Sequence, residues 1–327
     1  MSKGIDKMAS AWLGWVSALA LGVFPAGLRA QDAWPAAPIK IIVPFPAGGI
    51  ADVIPRLLAE EIGQVLGQRV VIENAGGAGG TIAAGRAARA APDGYTLMAG
   101  NTSSHATAYF QYKNLTYSPD SFAAVGLIAR TAPVLAIRNG FPAKTLAQFM
   151  AYARQSPATV SLGHGGVNSP GYVMCRSFLA AAGIDVNLVS YRGAGAVLND
   201  LMAGHIDSAC DSATSISPAI LAGKVHALAA GASARLPNVP DLLTSAEAGL
   251  PGFQAETWEA LFVPAGTPDA IIGKLNVALR AAVSSTIVQR RLFDFSSIPA
   301  KGEELEPAYT DRLVMREIEK YRKLLGE

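Results

Sequence analysis

Cysteine, histidine and charge are scarce in this chain, and each scarcity removes a class of function. The 327 residues include two cysteines and four histidines. Cys175 and Cys210 are too few for a disulfide-stapled scaffold. Both lie in apolar surroundings, where free buried thiols are expected. His105, His164, His205 and His226 are scattered without metal-ligand spacing, so neither a metal nor a cofactor is expected. Phosphate motifs are also missing. In GGAGG the position that a dinucleotide fingerprint gives to a third glycine holds Ile82, in RGAGAVL it holds Leu198, and no Gly-Lys-Ser/Thr triplet occurs. Nor is there a Gly-x-Ser-x-Gly elbow. Ser103, Ser104 and Ser169, even with His105 or the His164-Gly165-Gly166 run nearby, therefore make only a weak case for a secreted serine hydrolase.

What is present begins with a leader. Lys3 and Lys7 precede an uncharged, mostly apolar stretch through Trp12 and Phe24, and Pro25 and Gly27 then break any helix before Ala30. This order of basic, apolar and small residues is that of a secretory signal peptide over residues 1–30, cut after Ala30 and implying a periplasmic protein. Its removal takes away Lys3, Lys7 and Arg29 against Asp6 and brings the formal charge from +2 to zero. A neutral mature chain lacks the footprint of a nucleic-acid binder. With 50% hydrophobic and 16% charged residues, it can bury the cores of two domains.

The mature chain repeats one pattern. Ile39 and the run Ile41–Val43 predict a strand buried over most of its length. PFPAGG (44–49) follows, then a helix carried by Val53, Ile54, Leu57, Leu58, Ile62, Val65 and Leu66, with Pro55 placed in its first turn. A second strand (69–73), the loop GGAGG (76–80), an Ala-rich helix and a third strand (95–98) complete the unit. It restarts at Val160–Leu162 with the loop GHGGVNS (163–169), a helix, a strand at 186–191 and Arg192-Gly193 before another helix. Such β-loop-α units predict mainly parallel sheets flanked by helices. Two apolar stretches, 122–137 and 253–263, are long enough to cross between lobes. The first lobe is therefore expected to comprise 31–132 plus 258–327, including a helical tail, and the second 133–257.

Glycine-rich loops between a strand end and a helix start favour anions, because first-turn amides lack partners and the helix dipole is positive there. Ordinary turn glycine is the alternative for any one loop, but three loops in equivalent places predict a binding cleft. Asp52, expected in a first helical turn, is either a cap or a ligand contact. Asp211, after a strand end, has the same two readings.

The runs PIKIIVPFPAGGIADVIPRLLAEEIGQVLGQRVVIENAGGAGGTIAAG, APDGYTLMAGNTSSH, VSYRGAGAVLNDLMAGHIDSACDS and LFVPAGTPDAIIGKLN resemble the tripartite tricarboxylate transporter receptors, also called the Bug family. The resemblance covers essentially the whole mature chain. It implies a two-lobed α/β periplasmic-binding-protein fold of type II. It further implies a monomer that hands a small carboxylate (a di- or tricarboxylate, an acidic amino acid or an aromatic acid) to membrane permease subunits, or reports it to a signalling system. Carried over by position, the ligand residues are Phe45, Ala47, Gly48, Gly49 and Asp52, then Thr102 and Ser103. The second lobe adds His164, Gly166, Ser169, Tyr191, Gly193 and Asp211. Departures gather in the second lobe. Asn168, Ser169, Tyr172 and Arg176 stand where the family often has Gly-Ser-x-x-His and a later Glu. Arg192 replaces a lysine, and His164 replaces a small residue. From His164 an aromatic ligand, or one with an extra anionic group, is expected.

Overall fold

The apolar runs that alternate with glycine-rich loops form two sheets. The computed structural model describes residues 34–47, 50–167 and 169–325; the leader with its cut site, Gly48, Gly49 and Asn168 lie outside them. In chain order, β1 (Ile39–Val43) leads to α1 (Ile50–Leu66), β2 (Val70–Asn74) to α2 (Thr81–Ala88), and β3 (Thr96–Asn101) to a wide helical turn and α3 (Ala108–Gln111). Then come β4 (Phe122–Thr131) and β5 (Pro133–Arg138), separated by Ala132 alone. The second lobe continues with α4 (Leu146–Gln155), β6 (Ser161–His164), α5 (Pro170–Ala182), β7 (Asn187–Ser190), α6 (Ala194–Ala203), β8 (Ser208–Ser212), α7 (Ala213–Leu221) and β9 (Val225–Ala230). The chain returns through β10 (Thr257–Pro264) to α8 (Asp269–Ser284), α9 (Thr286–Asp294), β11 (Ser297–Pro299) and α10 (Pro307–Leu325).

The strand orders are β11-β4-β10-β3-β1-β2 and β7-β6-β8-β5-β9. Both place the first strand of a unit between its second and third, and both then admit a strand running the other way. The expectation of parallel sheets is sharpened by this. β1 pairs parallel with β2 and β3, and β6 with β7 and β8, so the loop-bearing strands are parallel. β10 and β5, and beyond them β4, β11 and β9, are antiparallel additions. Their apolar runs carry no sign of direction, which is why the sequence pattern missed it. The parallel strands still point their carboxyl ends, and hence their loops, at one edge of each sheet.

Period-two alternation on β5 builds both faces of the second sheet. Leu135 and Ile137 pack with Phe149, Phe178, Leu179 and Phe253, whereas Val134 and Ala136 pack with Val197, Leu201 and Ile216. Burial of side chains of this size contributes about 1.5–3 kcal/mol each. The helical tail returns to the first sheet, where Asn276 of α8 donates to the Val125 carbonyl at 2.8 Å. One detail is corrected. α1 begins at Ile50, so Pro55 stands in its second turn and not its first. It therefore removes one intrahelical hydrogen bond. Cys175 and Cys210 are free and buried, with the Cys175 Sγ 3.1 Å from the Cys210 carbonyl oxygen.

Candidate functional site

α5, α6 and α7 follow the carboxyl ends of β6, β7 and β8, and these three helix starts open onto one cavity of about 580 Å³. Ser169 caps α5, its Oγ accepting from the Tyr172 amide at 3.2 Å, and Pro170 fits the first helical position. Ser212 caps α7 by accepting from the Ser215 amide at 3.3 Å. α6 differs. Its N-cap is Gly193, at φ 103° and without a side chain to accept from the first turn. The amides of Ala194, Gly195 and Ala196, all on the cavity wall, therefore lack both an intrahelical acceptor and a side-chain cap. An anion is the natural partner for such a turn.

Phe45, Pro46 and Ala47 close the cavity from the first lobe. Behind them lies a brace that sequence reasoning missed. The Asn74 Nδ2 donates to the Phe45 carbonyl at 2.9 Å and to Asp52 Oδ1 at 2.8 Å. Arg56 donates to the same Asp52 oxygen at 2.8 Å and to Asn74 Oδ1 at 2.7 Å. The buried Asp52 carboxylate, through Asn74, thus helps hold the Phe45 loop. The GGAGG loop is likewise a support. Gly80 has φ 94°, and a Cβ there would lie 2.9 Å from the Cβ of Pro44 and 3.2 Å from that of Ser104.

Of the expected residues, Phe45, Ala47, Ser169, Gly193 and Asp211 line the cavity. Thr102, Ser103, His164, Gly166 and Tyr191 are not on its wall. Thr102 accepts from the Trp258 amide at 3.2 Å and ties β3 to β10. Ser103 is buried and its hydroxyl has no partner. His164 accepts from the Gly166 amide at 3.2 Å and meets the Tyr172 ring edge-on at 5.0 Å. Burial pushes its pKa down, which leaves Nδ1 free to accept at the Gly165–Gly166 turn. Tyr191 donates to Asp200 at 2.7 Å and anchors α6. Its hydroxyl pKa is pushed up to about 12 by burial, helped by that carboxylate.

Arg192 and Asp211 are the ionisable groups on the wall. Burial pushes Asp211 up to about 6, against its contacts with the Ser212 amide and the Ser212 and Ser215 hydroxyls, which favour the charge. Space beside it exists because residue 171 is glycine; a Cβ there would sit 2.6 Å from Asp211 Oδ2. Sequence reasoning missed Arg192 and Ser215 as wall residues, although the failed nucleotide motif RGAGAVL was the available signal for the α6 start. It also missed Glu259, a lone acid in the apolar strand TWEALFVP. Glu259 is buried opposite Asn101, and among the described residues its Oε2 and the Asn101 Nδ2 both lack partners. Burial first, and the nearby Asp52 charge second, raise its pKa far above the carboxylate range.

The serine-hydrolase alternative gains nothing from Ser104. Its Oγ is 2.9 Å from His105 Nδ1, but both side chains are buried. His105 stacks on Phe262 at 4.2 Å, and burial holds it down to about 3. Such an imidazole is a poor general base at neutral pH. Among the described residues no three His, Cys, Asp or Glu side chains are grouped to hold a metal.

A two-lobed α/β receptor, with the mouth of its cleft at the carboxyl edges of two sheets, is the class these features define. The sequence matches that of the tripartite tricarboxylate transporter family receptor over residues 54–326, and the chain belongs to that family, whose members are periplasmic solute-binding proteins. A relative from Agrobacterium vitis, the UPF0065 protein of the TAR-I ttuE-ttuC' intergenic region, is 36% identical over 93% of this chain and 88% of its own. Two solved structures superpose with a TM-score of 0.83. MatC (Rpa3494) from Rhodopseudomonas palustris with bound malate is 38% identical, covering 89% of this chain and 100% of that one. Rpa4515 from R. palustris with adipate is 32% identical, covering 89% and 97%.

Proposed function

We propose that this receptor closes its two lobes on a small organic acid and delivers it to membrane permease subunits. The observation that carries this reading is the uncapped start of α6 beside Arg192, within a cavity that two further helix starts and the Phe45 loop also line. One carboxylate lies against the Ala194–Ala196 amides and a second meets Arg192. Asp211, when protonated, donates to a ligand oxygen. Malate in MatC and adipate in Rpa4515 support a linear dicarboxylate. The first lobe comprises 31–132 with 258–327 and the second 133–257. The leader is removed after Ala30, and the mature protein acts as a monomer.

A thermal-shift screen of the purified protein against mono-, di- and tricarboxylates, amino acids and aromatic acids tests the reading. A dicarboxylate at a hundredfold excess over its Kd stabilises by roughly 2.7 kcal/mol. Shifts from sugars or cations, with none from any carboxylate, would overturn the ligand class.

A further inference from the structure

A second cavity, of about 290 Å³, lies beside the crossings and shares no residue with the cleft. Arg130, near the end of β4, and Trp258, near the start of β10, form one wall, and α10 forms another. Ser233 and Gln254, from the long segment that follows β9, complete it.

Its charges fall into two groups. Arg130 donates to Glu304 at 2.5 Å and to the Tyr309 hydroxyl at 2.6 Å. Lys320 pairs with Glu317 at 3.3 Å and lies over the Tyr321 ring. Those groups are spoken for. Two remain. Glu256 on the crossing segment and Arg316 on α10 both line the cavity. Among the described residues neither makes a hydrogen bond or an ion pair, and they do not reach each other. Solvation alone explains an exposed arginine, but it does not explain Glu256, which is half-buried and makes no hydrogen bond or ion pair among the described residues. Burial raises its pKa, and the positive charges of Arg130 and Lys320 only partly oppose this.

We propose that this cavity is a second binding site, for a small zwitterion of amino-acid size whose ammonium meets Glu256 and whose acid group meets Arg316. One charge of each sign without a hydrogen bond or ion pair, lining the same cavity, calls for a molecule carrying both. A simple anion would leave the glutamate unanswered, and a simple cation would leave the arginine so. The volume is near the lower limit of small-molecule pockets, about 300 Å³, which excludes larger ligands. The proposal is independent of what occupies the cleft.

Glycine, β-alanine and γ-aminobutyrate, which step the distance between the two charges, are the probes. Binding to the purified protein is followed by saturation-transfer NMR and calorimetry. At least one probe binds saturably, and Glu256→Gln and Arg316→Gln each weaken it at least tenfold, while Arg192→Ala leaves it unchanged. Circular dichroism of each variant reports its folding, and Arg316→Lys, which keeps the charge, restores part of the affinity. Failure of all three probes to bind overturns the proposal. So does binding that survives both substitutions, or that is lost in Arg192→Ala, since it then belongs to the cleft.

Discussion

The two lobes serve the cleft by different means. The second lobe meets it with three helix starts, a cation and a titratable acid. The first meets it with one loop, Phe45–Ala47, held from behind by Asp52, Arg56 and Asn74. On the proposed function, the second lobe sets what is recognised, and the first sets how well the cover shuts. A substitution in one should change selectivity, and in the other only the strength of closure.

The largest effect that separates the lobes is on stability. Phe178 sits fully buried between Phe149 and Phe253 in the second lobe. Phe178→Ala is expected to cost about 3–5 kcal/mol, measured by urea unfolding. A first lobe that keeps its own transition would appear as a split curve, and a single shifted curve would mean that the lobes unfold together.

Next comes Asp211. Its folded pKa is raised, so the folded protein keeps a proton that the unfolded chain releases. The group's stabilising contribution is complete below pH about 4 and is lost as pH rises through about 6, a change on the order of 3 kcal/mol. Unfolding profiles of the wild type and Asp211→Asn should therefore diverge in favour of the variant between those limits. Parallel profiles would place the titration elsewhere. A bound carboxylate raises this pKa further, so affinity should fall above pH 6 in the wild type and stay flat in the variant.

Arg192→Ala should weaken dicarboxylate binding by about 1.5–3 kcal/mol, the range for a hydrogen bond to a charged group. A monocarboxylate held only by the α6 amides should lose far less. Equal losses for both would show that Arg192 does not read the second carboxylate. The smallest effect belongs to the first lobe. Asn74→Ala removes the tie to the Phe45 carbonyl and is expected to cost about 1 kcal/mol in affinity without changing the ranking of ligands. A changed ranking would break the division between recognition and cover.

Much of this architecture was legible because it is written in local periodicity. The β-branched run at Ile41–Val43, the helical spacing through Leu66 and the glycine loops between them predict units that the structure contains. The direction of β4, β5 and β10 was not legible, since an apolar strand buried on both faces has the same pattern either way. Of the residues that the family resemblance carried over, Ser169, Gly193 and Asp211 line the cavity, each at a strand end or helix start. His164 was expected at the ligand because of its place in a glycine loop. A side chain there turns wherever packing is best, and here it packs against Tyr172. The Asn74 brace joins residues 22 and 29 positions apart, and Glu259 meets Asn101 only through strand pairing. Neither contact has a local signature.

The two crossings between the lobes are unequal: Ala132 alone in one, the whole stretch between β9 and β10 in the other. The short one leaves a single residue as pivot, while the long one is packed into the second lobe's core through Leu236, Leu242, Leu250 and Phe253. Its tip at Pro251 and Gly252 is exposed, and chain added to such a loop carries only a slowly growing entropic cost. A fluorescent domain spliced there would ride on the moving side of the pivot, turning this receptor into a reporter of its own ligand.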